Sequence, residues 1–110
     1  MSADSNVVFF GIRIILPPED IKSINFRKHP LIARARECKL QTYYGNFGGI
    51  DPIYYLLIGR KIGVTGPEHE EEVEVPAEEC LRFIREVQEK LEAGEFGGDP
   101  KLYTIWKPDA

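Results

Sequence analysis

The 110-residue chain is expected to form one α+β domain, an antiparallel sheet with helices packed on one face. Three observations carry that expectation. Residues 6–16 form an apolar run with the two-residue period of a strand, and residues 77–93 carry an apolar stripe at helical spacing. Between them lie shorter runs rich in aromatic and β-branched residues, separated by glycine and proline clusters that read as turns.

The first strand has two unequal faces. Val8, Phe10, Ile12, Ile14 and Leu16 point one way and form an all-apolar surface for helices to cover; Val7, Phe9, Gly11, Arg13 and Ile15 point the other way. Pro17 and Pro18 end it, because proline cannot donate to a ladder. A weak helical pattern follows, and Pro30 divides it into two short helices near residues 19–27 and 30–39. Residues 40–47 read as a strand that leads into the turn at 48–52. Residues 53–58 are apolar on both faces, as a central strand is, and Gly59, Arg60 and Lys61 are expected to turn the chain back into a hairpin partner at 62–65. In residues 68–76 the alternation of Glu72, Val73, Glu74 and Val75 suggests an edge strand whose charges discourage pairing with other chains.

The helix over 77–93 is the clearest element. Cys80, Phe83, Ile84, Val87 and Leu91 form its buried stripe, Pro76 suits its first position, and Gly94 suits the left-handed position that ends it. Glu78 and Glu79 favour the positive end of its dipole. Glu78 with Arg82 and Glu86 with Lys90 add i,i+4 pairs worth a few tenths of a kcal/mol each, about 0.3. Residues 102–106 form the last strand. The resulting order, β-α-β-β-β-α-β, resembles the split βαβ topology of ferredoxin-like folds with one extra strand. That resemblance concerns topology alone and implies no activity.

Charge is unevenly spread. The formal net charge is −4, yet residues 68–100 contain 12 acidic and 3 basic side chains, so one third of the chain is strongly negative and the remainder is net positive. This balance argues against broad contact with phosphates and hence against nucleic acid as a partner, while it suits a basic protein partner steered by a negative face. The longest unbroken apolar run is 53–58, too short for a membrane span. No basic residue precedes the apolar stretch 7–16, so a secretory signal is a poor reading and cytoplasm is the expected compartment.

The usual chemical signatures are absent. Cys38 and Cys80 are 42 positions apart, matching neither a zinc set nor a redox pair, and both read as free thiols. His69 lies among Glu68, Glu70, Glu71 and Glu72, but strand alternation separates it from those carboxylates. Gly45, Gly48 and Gly49 precede a strand rather than a helix, so they are turn residues and not a phosphate loop. No cofactor is expected. The expected function is therefore binding rather than catalysis, as a protein-interaction or inhibitor module of the immunity-protein kind. Its candidate surfaces are two. Glu68, Glu70, Glu71, Glu72 and Glu74 form an acidic face for a basic partner. Phe9, Arg13, Tyr43, Tyr55 and Tyr103 form an aromatic face that a second copy of the chain or loops would cover. The alternative is a small-molecule domain or minor enzyme, with a pocket between the sheet and residues 19–39 and His29, Tyr43 or Tyr55 at its mouth.

Overall fold

A computed structural model describes residues 4–22 and 28–108. In chain order the elements are β1 (Ser5–Ile15), a 3-10 turn (Pro18–Asp20), α1 (Pro30–Glu37), β2 (Gln41–Asn46), β3 (Tyr54–Thr65), α2 (Ala77–Ala93) and β4 (Lys101–Lys107). They form an α+β domain with a single four-stranded sheet in the order β2-β3-β1-β4, every neighbouring pair antiparallel. No helix among the described residues is long and apolar enough to cross a membrane.

Three expectations are corrected. Gly59, Arg60 and Lys61 do not turn the chain back: β3 continues through them for 12 residues, and one strand stands where a hairpin was expected. Its register against β1 shifts at a bulge opposite Val8 and Phe9, where Ile62 is the extra residue. Residues 72–75 join no ladder. Among the described residues the acidic run pairs with the sheet through one isolated bridge, Thr65 with Glu70, while its half-buried Val73 and Val75 lie against Gly63 and the helix-side core without a strand partner. The helix expected over 19–27 opens as the 3-10 turn, with Ile21 and Lys22 helical; its remainder lies outside the described residues.

The helix side of the sheet is the larger core. Phe10 and Ile12 of β1, with Leu16 just past its end, meet Leu56 and Ile58 of β3 beneath Ile32 and Ala35 of α1 and Phe83, Val87 and Leu91 of α2. The Phe10 and Phe83 rings lie 5.7 Å apart, tilted by 58°. Helix α1 starts as Pro30 predicts, and His29 caps it: Nδ1 accepts from the Leu31 amide at 3.1 Å, while Nε2 lies 3.3 Å from an Asp20 carboxylate oxygen. Its imidazole is buried, so the pocket-mouth role is not where the structure puts it.

Both helices end in the same unusual way. Leu40 N–H bonds back to the Ala35 carbonyl and Phe96 N–H to that of Leu91, six-residue closures whose left-handed position is held by Lys39 (φ 60°) and Glu95 (φ 56°) rather than glycine. Gly94, expected in that role, has φ −84°. It is needed for space instead, because a Cβ there would lie 2.5 Å from the Phe96 ring and 2.8 Å from Cys38 Sγ. Glu95→Gly is therefore expected to stabilise the protein by about 1 kcal/mol, by removing the left-handed penalty from an exposed side chain. A thermal melt showing a lower midpoint for the variant would contradict this.

The other sheet face is bent upon itself. Gly11 and Gly59 sit directly opposite each other, each with φ +154°, where the ribbon of β1 and β3 packs backbone on backbone. β4 pairs with the half of β1 before this point and β2 with the half of β3 alongside the rest. The bend folds the halves together so far that Lys107 Cε comes within 2.9 Å of a Cβ placed on Gly45, although their strands are opposite edges of the sheet. Between the halves lies a second core of Val7, Phe9, Leu57 and Phe47, ringed by Tyr43, Tyr55, Val64 and Ile105.

Candidate functional site

The aromatic face expected from sequence is thus a concave surface, largely filled by its own side chains. Phe9 has no exposed area, so it supports the surface and cannot touch a partner; this corrects its place among the contact residues. Covering comes from the loop after β2, one of the two covers expected, and from the bend of the sheet, which the linear pattern does not announce. Phe47 at the start of that loop packs against Tyr43 at 6.2 Å and Tyr55 at 5.3 Å between ring centres. Asn46 fixes the loop. Its Oδ1 accepts from the amides of Gly48 (3.0 Å) and Ile53 (3.1 Å), and its Nδ2 donates to the Gly49 carbonyl at 3.0 Å.

Arg13, Tyr55 and Tyr103 are brought together at the rim. The Arg13 guanidinium lies 4.8 Å from the Tyr55 ring centre and 4.9 Å from that of Tyr103, held between two aromatic side chains that the register alone would leave far apart. Tyr55 is opposite Ile15 and Tyr103 opposite Phe9, so only the bend over the side-chain-free glycine pair lets one arginine reach both. The Arg13 side chain is exposed, and among the described residues no carboxylate lies within ion-pair distance of it. Lys61 stands 6.0 Å from the Tyr43 ring centre. Burial raises the pKa of the Tyr43 phenol above its ordinary value, so the hydroxyl stays protonated at neutral pH.

The charge pattern sharpens once the strands are known. No strand contains an aspartate or glutamate, while the four of them carry Arg13, Arg60, Lys61, Lys101 and Lys107. Arg60 is on the helix side, bonded to Glu79 at 3.1 Å and lying over the Phe83 ring. The other four alternate onto the concave side with the tyrosines. An acidic protein therefore keeps one face of its sheet free of negative side chains, which whole-chain composition conceals. The glutamates Glu68, Glu70, Glu71, Glu72 and Glu74 are all exposed in the run from β3 to α2, and none of them forms an ion pair among the described residues.

Three concavities border these features. An apolar groove of about 500 Å³ runs beside Ile15, Leu16, Pro18, Ile21 and Ile53, with Ile15 two positions along β1 from Arg13 on the same side. A second hollow of about 570 Å³ brings Tyr43 and Lys61 to His69 and Glu70, so the acidic run meets the tyrosine face there. Of the space between the sheet and residues 19–39, where the sequence placed a ligand pocket, the hollow beside Arg36, Thr42 and Tyr44 is about 250 Å³, below the usual minimum of about 300 Å³, whereas the groove at Ile21 exceeds that minimum but is lined almost wholly by apolar side chains. Among the described residues no three His, Cys, Asp or Glu side chains are grouped as a metal ion would need. Cys38 and Cys80 are both free. Compared with protein-family models, with curated proteins and with solved structures, the chain has no match.

Proposed function

We propose that the protein is a non-catalytic protein-binding module whose working surface is the rim around Arg13, Tyr55 and Tyr103 together with the apolar groove at Ile15. The single observation that carries this is the Arg13 guanidinium, placed between two rings, exposed, and without a carboxylate partner among the described residues. Two stacked rings limit its rotamers, so less entropy is lost when it binds, and its free N–H edges suit a planar carboxylate. Tyrosine and arginine beside an apolar groove are the residue types that dominate binding energy at protein interfaces. The partner this fits is a protein segment with a carboxylate next to a bulky apolar side chain. The element order and the antiparallel order β2-β3-β1-β4 support a ferredoxin-like arrangement for the scaffold, and two free thiols suit the reducing cytoplasm.

Arg13→Met keeps the apolar stem and removes the charge. In affinity capture from lysate at low and high salt, a partner held by the wild type is expected to be retained about tenfold less by the variant, and what remains loses its salt dependence. Equal retention by both proteins rejects the Arg13 reading. A second reading assigns the working surface to the exposed Glu68, Glu70, Glu71, Glu72 and Glu74, facing a basic partner; it is favoured by their lack of ion pairs among the described residues. Changing Glu70, Glu71 and Glu72 to lysine separates the two readings, because only the second then loses its partner.

A further inference from the structure

We infer that β4 is a self-association edge, along which two copies of the chain pair antiparallel about a two-fold axis at Tyr103. Four features of the strand lead there. Among the described residues β4 has a strand neighbour on one side only, β1, so a row of backbone donors and acceptors faces outward along it. Its central residues Leu102, Tyr103, Thr104, Ile105 and Trp106 are uncharged strand formers, bracketed by Pro100 and Pro108. On its helix side Leu102 and Trp106 are 63% and 56% exposed, because α2 packs over β1 and β3 and α1 over β2. The opposite edge, β2, carries no large exposed apolar side chain, so the two edges are not equivalent.

The register follows from charge. In a two-fold antiparallel pair each residue meets one on the same face, and the axis position decides which. An axis at Thr104 sets Lys101 against Lys107 of the second copy twice over, a like-charge arrangement that is destabilising. An axis at Tyr103 sets Lys101 against Ile105 and brings Asp99, in the loop two residues before β4, to the Lys107 end of the second copy, so that two opposite-charge pairs can form per dimer. On the helix side it lays Leu102 against Thr104 and Pro100 against Trp106, so the exposed indole gains an apolar partner. Neither Asp99 nor Lys107 is in an ion pair within the chain among the described residues. The two sheets then join as one of eight strands, and the closed contact is isologous, which limits assembly to a dimer.

The chain's single tryptophan reports on the contact. Sedimentation velocity over a concentration series is expected to show a monomer–dimer equilibrium, with Trp106 emission moving to the blue as the dimer forms. Leu102→Lys is expected to weaken the dimer about tenfold or more. Asp99→Lys and Lys107→Asp are each expected to weaken it about tenfold, and the two together to restore it, with circular dichroism confirming that every variant is folded. A wild type that stays monomeric at the highest concentration overturns the proposal. So does a dimer that Leu102→Lys leaves intact, or one in which the charge exchange restores nothing.

Discussion

Gly59→Ala is expected to destabilise the protein by about 4 kcal/mol or more, enough to lower its thermal midpoint by about 20 °C. A Cβ on Gly59 would lie 2.1 Å from the Phe10 carbonyl oxygen and 2.8 Å from Gly11 Cα. Both are backbone atoms in the centre of the sheet, so no rotamer change relieves the contact. At φ +154° the position is also one that residues with a side chain rarely adopt, which adds about 1–3 kcal/mol of strain. Gly11→Ala meets the same obstacle from the facing strand, its Cβ 2.1 Å from the Ile58 oxygen. Gly97→Ala is the control: its φ is +73°, but nothing lies within 4 Å of the added atom, so only the left-handed cost of about 1 kcal/mol is expected. Urea unfolding of the three variants checks the order. If Gly59→Ala melts close to Gly97→Ala, the two strands do not pack backbone on backbone and the bend has another origin.

The same glycine marks where sequence pattern stops being informative. Helix α2 and the helix-facing side of β1 were legible because each buries one regular stripe against one partner, so period alone identifies Phe83, Val87 and Leu91, or Phe10, Ile12 and Leu16. Gly59 looked like a turn because glycine beside two basic residues usually is one. Here it is a kink inside a strand, and the clue was that alternation continues through it as far as Ile62: Leu56, Ile58 and Ile62 serve one core and Tyr55 and Leu57 the other, until the bulge at Ile62 turns Val64 to that second core as well. The acidic run misled in the opposite sense. Val73 and Val75 keep a strand's period, but pairing requires an unoccupied neighbour at the right height, which no local pattern records. For the site, composition singled out Arg13, Tyr43, Tyr55 and Tyr103, yet only the bend places Arg13 between rings from β3 and β4. Phe47 was missed altogether. Its signal was the asparagine before it, since an Asn followed by two glycines fixes a loop by side-chain bonds, and a fixed loop can hold an aromatic ring in a core.

Phe9 tests whether the concave face is a second core or an open platform. Phe9→Ala is expected to cost about 3–5 kcal/mol, the usual range for emptying a fully buried phenylalanine site, because Val7, Leu57 and Phe47 lie on rigid neighbours that cannot collapse into the space. Against a total stability of about 5–15 kcal/mol for a domain of this size, that leaves a protein folded at low temperature and easily melted. Arg13→Met at the rim removes no buried volume, and its effect on stability is expected to stay within about 1 kcal/mol. The two substitutions therefore exchange roles between two measurements. In urea unfolding, Phe9→Ala shifts the midpoint strongly and Arg13→Met hardly at all; in partner capture below the melting range, Arg13→Met fails and Phe9→Ala succeeds. The opposite pattern, a stable Phe9→Ala that no longer binds, would make Phe9 an accessible contact. The face would then be an open sheet surface on which the partner itself supplies the missing cover, and burial by the bend would no longer account for its three tyrosines.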